Sequence, residues 1–219
     1  NLKIKLIYFS TMQVYGNYNK EKIITEQNKK NCKNIYALTH SMCEDILNIY
    51  SSFGNINSIS LRLSNGYGFP RLKTCDCWWL VINDFCSNVE KKNEIKINSD
   101  GSPLRDFIHI SDIALAVEKI LNFKKKLPKV MNLCSGKTVS MLEIASIVKK
   151  KSYRIHKNPK IYVKNHELNE KDLVKKIRIL KNKKKFKIKN NLMKKFKIIP
   201  KINLSEGIEK TLIDLKREK

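Results

Sequence analysis

Phe9-Ser10-Thr11-Met12-Gln13-Val14-Tyr15-Gly16 closes the first apolar stretch of the chain, Ile4-Lys5-Leu6-Ile7-Tyr8-Phe9, and decides how the rest is read. The apolar run predicts a buried strand over about 3–9. Ser10 and Thr11 then fall at the strand's carboxyl end, where open α/β sheets bind their ligands. Tyr36 stands twenty residues after Gly16, within Asn34-Ile35-Tyr36-Ala37-Leu38-Thr39-His40, which runs on to Glu44 in a predicted helix over about 34–52. Tyr36 and His40 are four residues apart and share one face of that helix. A phenol beside a basic group, with a hydroxyl on the neighbouring strand, makes a proton-transfer set. Alone, a helical Tyr usually packs and a Ser-Thr pair usually caps a strand end. Together, in this order and at this spacing, they favour the functional reading.

Outward from these segments the pattern alternates. A second strand, Ile56 to Leu63, ends in the loop Asn65-Gly66-Tyr67-Gly68-Phe69-Pro70, and a helix follows over about 77–91. Short strands are predicted at 94–98 and 106–110, then a helix from an N-capping Ser111 to about Asn122. The strand Val130 to Cys134 leads across Ser135-Gly136 to a helix over about 141–151. Residues 152–189 are weakly patterned, and Ser205 is expected to cap a last helix to about Lys216. Such alternation predicts an α/β fold with a largely parallel sheet. Gly66-Tyr67-Gly68 lacks the third glycine of a dinucleotide fingerprint and opens no helix at once, so it is not one.

The 219 residues are 42% hydrophobic, enough for a packed core. No apolar run is long enough to cross a bilayer. The six cysteines have neither CxxC nor Cys/His spacing, which predicts no metal site and reduced thiols in a cytoplasmic protein. The net charge of +25 is concentrated in residues 149–219, which carry 25 basic and 7 acidic side chains. Only 6 of the 45 basic residues are Arg, the type that phosphate and base recognition favours. The excess therefore reads as a solvated Lys-rich surface rather than a nucleic-acid interface. Because the chain opens on Asn1 inside a core strand, it is expected to be a fragment.

Five segments, in order, resemble the extended short-chain dehydrogenase/reductase family, the NAD-dependent nucleotide-sugar epimerases and dehydratases. Ser10-Thr11-Met12-Gln13-Val14-Tyr15-Gly16 is similar to the family's active-site strand, and Tyr36 to His40 sits where the family has Y-x-x-x-K. Arg62 to Pro70 resembles R-x-x-N-x-Y-G-P, Arg105 to Asp112 resembles R-D-F/Y-I-x-V-x-D, and Asn132 to Gly136 resembles N-L-G-x-G. Ile199-Pro200 with Leu204-Ser205-Glu206-Gly207-Ile208 is similar to the family's C-terminal helix.

The resemblance implies a Rossmann-type parallel sheet with a smaller α/β substrate-binding domain. Residues 1–68 would be the remnant of the NAD-binding domain and 69–219 the nucleotide-sugar domain. On this resemblance Tyr36 is the acid/base on a sugar hydroxyl, Thr11 hydrogen-bonds the same oxygen and Ser10 supports it. Asn65 and Arg105 bind the substrate's phosphates, while Tyr36 and His40 meet the cofactor, NAD or NADP. His40 replaces the family's Lys, and Met12-Gln13 stands where 4,6-dehydratases carry an Asp-Glu pair. About 100 preceding residues, with the Gly-rich unit, are expected to be missing. The reading is a C4 epimerase, homodimeric when complete, with a 4-keto-sugar reductase or a non-catalytic homologue as alternatives.

Overall fold

A computed structural model describes residues 4–16, 23–54, 56–72, 74–182 and 185–218. In chain order the elements begin with β1 (Ile4–Thr11), a 3-10 turn (Met12–Tyr15), β2 (Ile23–Ile24), α1 (Ile35–Ser52), β3 (Ile56–Leu63) and β4 (Asn65–Tyr67). There follow α2 (Val81–Lys92), β5 (Glu94–Ile97), β6 (Leu104–His109), α3 (Ile110–Leu121), β7 (Val130–Leu133) and β8 (Thr138–Ser140). The remainder is α4 (Met141–Ser152), β9 (Lys160–Val163), β10 (His166–Leu168), α5 (Glu170–Lys181), β11 (Lys187–Ile188), α6 (Asn191–Lys195) and α7 (Leu204–Arg217). The expected α/β class is what forms. Lys3, within the predicted first strand, lies outside the described residues.

The chain divides into two compact units. The first comprises residues 1–64, 112–137 and 186–200, and the second residues 65–111, 138–185 and 201–219. A single division after residue 68 therefore misses how the chain is shared out. The physical reason is strand pairing: β7 returns to lie parallel to β3, which brings residues after 111 back to the first unit.

The first unit holds a parallel sheet in the order β1-β3-β7. Ile4 is opposite Ile56 and Thr11 opposite Leu63, while Leu63 is also opposite Leu133. Alternation along β3 sends Ile59 and Leu61 one way and Ser58, Ser60 and Arg62 the other. Ser58 meets Ser51 of α1 at 2.6 Å and Arg62 reaches Glu44 of α1, so the polar face of β3 is turned to that helix. All of these β3 side chains are buried.

The second unit is built on two three-stranded sheets, β4-β6-β8 and β5-β9-β10. Helices α2, α4 and α7 pack together over a core that includes Ile82, Phe85, Val89, Leu142, Ile144 and Ile208. Gly207 of α7 lies against the Tyr67 hydroxyl, and a Cβ there would come within 2.2 Å of it. This close approach accounts for the glycine in Leu204-Ser205-Glu206-Gly207-Ile208.

Several elements differ from the sequence reading. The second helix starts at Val81, leaving Trp78-Trp79 in the preceding turn, where Trp78 meets Phe69 at 5.9 Å between ring centroids. Asn203 rather than Ser205 caps α7, accepting from the Glu206 backbone N–H at 3.0 Å. At α3 the imidazole Nδ1 of His109 accepts the Ser111 N–H at 3.2 Å, so Ser111 is not the cap. The weakly patterned stretch forms β9, β10, α5 and β11. None of the six cysteines is in a disulfide, and among the described residues no helix is long and apolar enough to cross a membrane.

Candidate active site

The end of β1 and the start of α1 are fastened to each other by local chemistry. Thr11, the last residue of β1, accepts the Gln13 N–H on its Oγ1 at 3.2 Å and so starts the 3-10 turn. Gly16 ends that turn with φ of 70°, and a Cβ there would lie 2.1 Å from the Asn31 carbonyl oxygen. Only glycine admits both the left-handed backbone and this approach. Asn31 in turn donates its N–H to the Val14 carbonyl at 2.8 Å. Asn34 caps α1 by accepting the Ala37 N–H at 2.8 Å, and its amide donates to Gln13 Oε1 at 3.0 Å. Tyr36 is thereby held near the first turn of a helix whose cap is tied to the turn after Thr11.

Tyr36 is half exposed, at 53%. Its ring meets that of His40 edge-on, with centroids 4.5 Å apart. The His40 Nδ1 is 2.7 Å from the hydroxyl of Tyr8 on β1. Tyr8 is a residue that the apolar pattern of the strand had hidden. The available signal was its chemistry, because a part-buried Tyr hydroxyl finds a hydrogen-bond partner. Burial raises the Tyr8 phenol above its ordinary value, and Cys43, Glu44 and Tyr36 push the same way.

Beneath this pair lies a buried polar network. Ser10 donates to Glu44 Oε1 at 2.6 Å, and Arg62 donates to both Glu44 oxygens at 2.9 and 2.7 Å. The Arg62 guanidinium also lies 4.7 Å from the centre of the Tyr15 ring, and the Tyr15 hydroxyl donates to Asn132 Oδ1 at 2.7 Å. Burial opposes the charge on Arg62, but the hydrogen bonds to Glu44 and the Tyr15 interaction outweigh it and hold the guanidinium above its ordinary value. Burial raises Tyr15 to about 12 despite the opposing guanidinium, so it remains a neutral donor.

Ser10, Thr11, Tyr36 and His40 all fall in the first unit. Asn65 and Arg105 belong to the second. There the Asn65 amide donates to the Asp106 carbonyl at 2.8 Å, tying β4 to β6, and Arg105 donates to the Leu104 carbonyl at 2.9 Å. Asn65 is paired with Phe107, two residues along β6 from Arg105.

A sequence profile of the NAD dependent epimerase/dehydratase family matches residues 1–134. The chain is 30% identical over 166 residues to a UDP-glucose 4-epimerase of Mycoplasma genitalium, covering 68% of this chain and 48% of that protein. It is also 30% identical over 115 residues to a dTDP-4-dehydro-6-deoxy-D-allose reductase of a Streptomyces species, covering 52% of this chain and 34% of that protein. The matched stretches thus span about a third to a half of these curated relatives. Among solved structures, a UDP-glucose 4-epimerase of Thermotoga maritima superposes with a TM-score of 0.78 at 18% identity, over 98% of this chain and 64% of that one. This last likeness is one of fold.

The buried Glu44–Arg62 pair generates a stability prediction. Glu44→Ala should destabilise the protein by about 3–5 kcal/mol, because it leaves an uncompensated guanidinium in the core. The double replacement Glu44→Leu with Arg62→Met should cost less than the single Glu44→Ala, since neither charge is then stranded. Urea unfolding of the three proteins checks both statements.

Proposed function

Because the chain belongs to the NAD dependent epimerase/dehydratase family, we propose that it acts on the C4 centre of a nucleotide-linked sugar as an epimerase, with Tyr36 as the acid/base. The observation that carries this reading is the placement of a half-exposed Tyr36 phenol against His40, on a helix whose cap is tied to the turn beginning at Thr11. As the phenolate, Tyr36 takes the proton of the C4 hydroxyl when the carbon is oxidised, and the phenol so formed returns it when the ketone is reduced. Thr11 uses its oxygen to accept from Gln13, which leaves its hydroxyl proton free to donate to the sugar oxygen. The Ser10 proton is committed to Glu44, so its part is to hold the strand end in place.

NAD supplies the acceptor and donor of hydride at the sugar carbon when bound. The set on α1 suits its ribose, because the Tyr36 hydroxyl and the remaining nitrogen of His40 are adjacent hydrogen-bonding groups. Arg105 is assigned to the substrate's diphosphate, which a guanidinium can pair bidentately, with Asn65 beside it on the paired strand. The six cysteines, none of them in a disulfide, suit a cytoplasmic setting.

This reading excludes 4,6-dehydration. Met12 is buried, and the Gln13 side-chain oxygen accepts from Asn34, so neither residue following Thr11 can transfer a proton to the sugar. A nucleotide-4-keto-sugar reductase is the second reading. The similarity to the Streptomyces reductase favours it, and it would use the same phenol and hydroxyl.

The complete protein is proposed to be a homodimer through α1. Ile35, Leu38, Met42, Ile46, Ile49 and Tyr50 are large apolar residues of this one helix, and each is at least half exposed within the chain. A helix with this much uncovered apolar surface buries it against a partner.

Two outcomes are expected. Tyr36→Phe should lower kcat by about 10²–10⁴-fold while nucleotide-sugar binding, measured by calorimetry, stays within about twofold, because only the proton-transfer atom is removed. Sedimentation at micromolar concentration should show a dimer that Met42→Glu with Ile46→Glu converts to monomer. A monomeric wild type would end the dimer proposal.

A further inference from the structure

His40 has lost the freedom of one of its two nitrogens. Its Nδ1 lies 2.7 Å from the Tyr8 hydroxyl, and the two rings are tilted at 40° with centroids 5.6 Å apart. Its other ring contact is the edge-on approach of Tyr36. The three aromatic side chains therefore form one line, Tyr8 to His40 to Tyr36, running from the middle of β1 to the first turn of α1.

The Tyr8 hydroxyl at this 2.7 Å contact keeps its proton. Burial is the first cause that keeps its phenol protonated, and the Cys43 thiol, the Glu44 carboxylate and the Tyr36 phenol all act in the same sense. Glu44 is itself engaged by Ser10 and Arg62, so its charge stays on the α1 side of the network. At 2.7 Å the contact suits an O–H donor better than an N–H donor, whose bonds centre at about 2.9–3.0 Å, and a phenol is the better donor and an imidazole nitrogen the better acceptor of the two. Nδ1 is then the acceptor, and a neutral imidazole must carry its proton on Nε2.

We infer that Tyr8 is a positioning residue, whose hydroxyl fixes both the orientation and the Nε2–H tautomer of His40 and thereby sets the ring against which Tyr36 is held. The inference rests on the acid/base reading of Tyr36 for its functional half only. Its structural half concerns a pair that exists whether or not the protein turns over a sugar. A fixed tautomer gives the site one defined N–H donor next to the phenol, where a freely turning imidazole would offer a donor part of the time and an acceptor for the rest.

Nitrogen-15 imidazole spectra of the protein test the pairing directly. Its four histidines are assigned by comparison with His40→Gln. In wild type at neutral pH, His40 should show an unprotonated Nδ1 and a protonated Nε2. Tyr8→Phe keeps the ring and removes only the hydroxyl, and should give a mixture of the two tautomers. It should also lower kcat about tenfold, the scale of one lost hydrogen bond, with KM for the sugar within about twofold.

A wild-type spectrum with the proton on Nδ1, or an unchanged tautomer in Tyr8→Phe, overturns the inference, and the first of these needs no variant to fold. A lost tautomer with unchanged kcat, in a protein where Tyr36→Phe is inactive, overturns the functional half. If Tyr36→Phe leaves kcat unchanged, the acid/base reading fails instead, and the spectra still decide the Tyr8–His40 pair.

Discussion

The first unit depends on a single buried charge pair. Glu44 enters from α1 and meets Arg62 of β3 bidentately, while Ser10 of β1 donates to one of the same oxygens. The guanidinium then covers Tyr15, whose hydroxyl reaches Asn132 of β7. All three strands of the sheet, the helix and the turn after β1 are joined through this chain of contacts. Burying two ions is costly, and apolar replacements often match their stability. What an apolar core would lack is direction: carboxylate and guanidinium meet in one fork geometry, which fixes the rotation of α1 about its axis. Tyr36, His40 and Glu44 follow one another at four-residue intervals on this helix, so fixing Glu44 also fixes the face that carries the other two.

The same dependence explains which parts of the fold were legible. The strand at 56–63 and the helix ending at 52 are read correctly because each is a long run of one period, and Asn34 is a capping residue in plain view. The short strands β2, β8 and β11 carry two or three residues each, and only their distant partners define them. Asn203 and Ser205 are both capping types two residues apart, and sequence offers no means of choosing between them. The Trp78-Trp79 pair looked helical because it continued an apolar spacing, although the helix begins at Val81. How the chain is shared between units was least visible, since it follows from β7 pairing with β3 across about seventy residues.

Of the candidate site, the residue types were legible and their internal bonds were not. Ser10, Thr11, Tyr36 and His40 stand in a recognisable order. That Ser10 is spent on Glu44, that Thr11 caps its own turn and that His40 is engaged by Tyr8 are facts of three dimensions. They divide the set into groups with a hydroxyl left to offer and groups that hold those groups still. Tyr36 and Thr11 retain a proton to give or take, whereas Ser10, Glu44 and Arg62 serve the framework.

The most direct test of this account follows the hydrogen on the sugar carbon. The protein, expressed from its complete reading frame and supplied with NAD, is offered a panel of UDP- and dTDP-hexoses deuterated at C4, and the products are read by mass and NMR. The account predicts that at least one sugar returns as its C4 epimer with the deuterium still on C4, because oxidation and reduction occur at the same carbon. An epimer that has lost its deuterium to water, or a panel returned wholly unchanged, would contradict it.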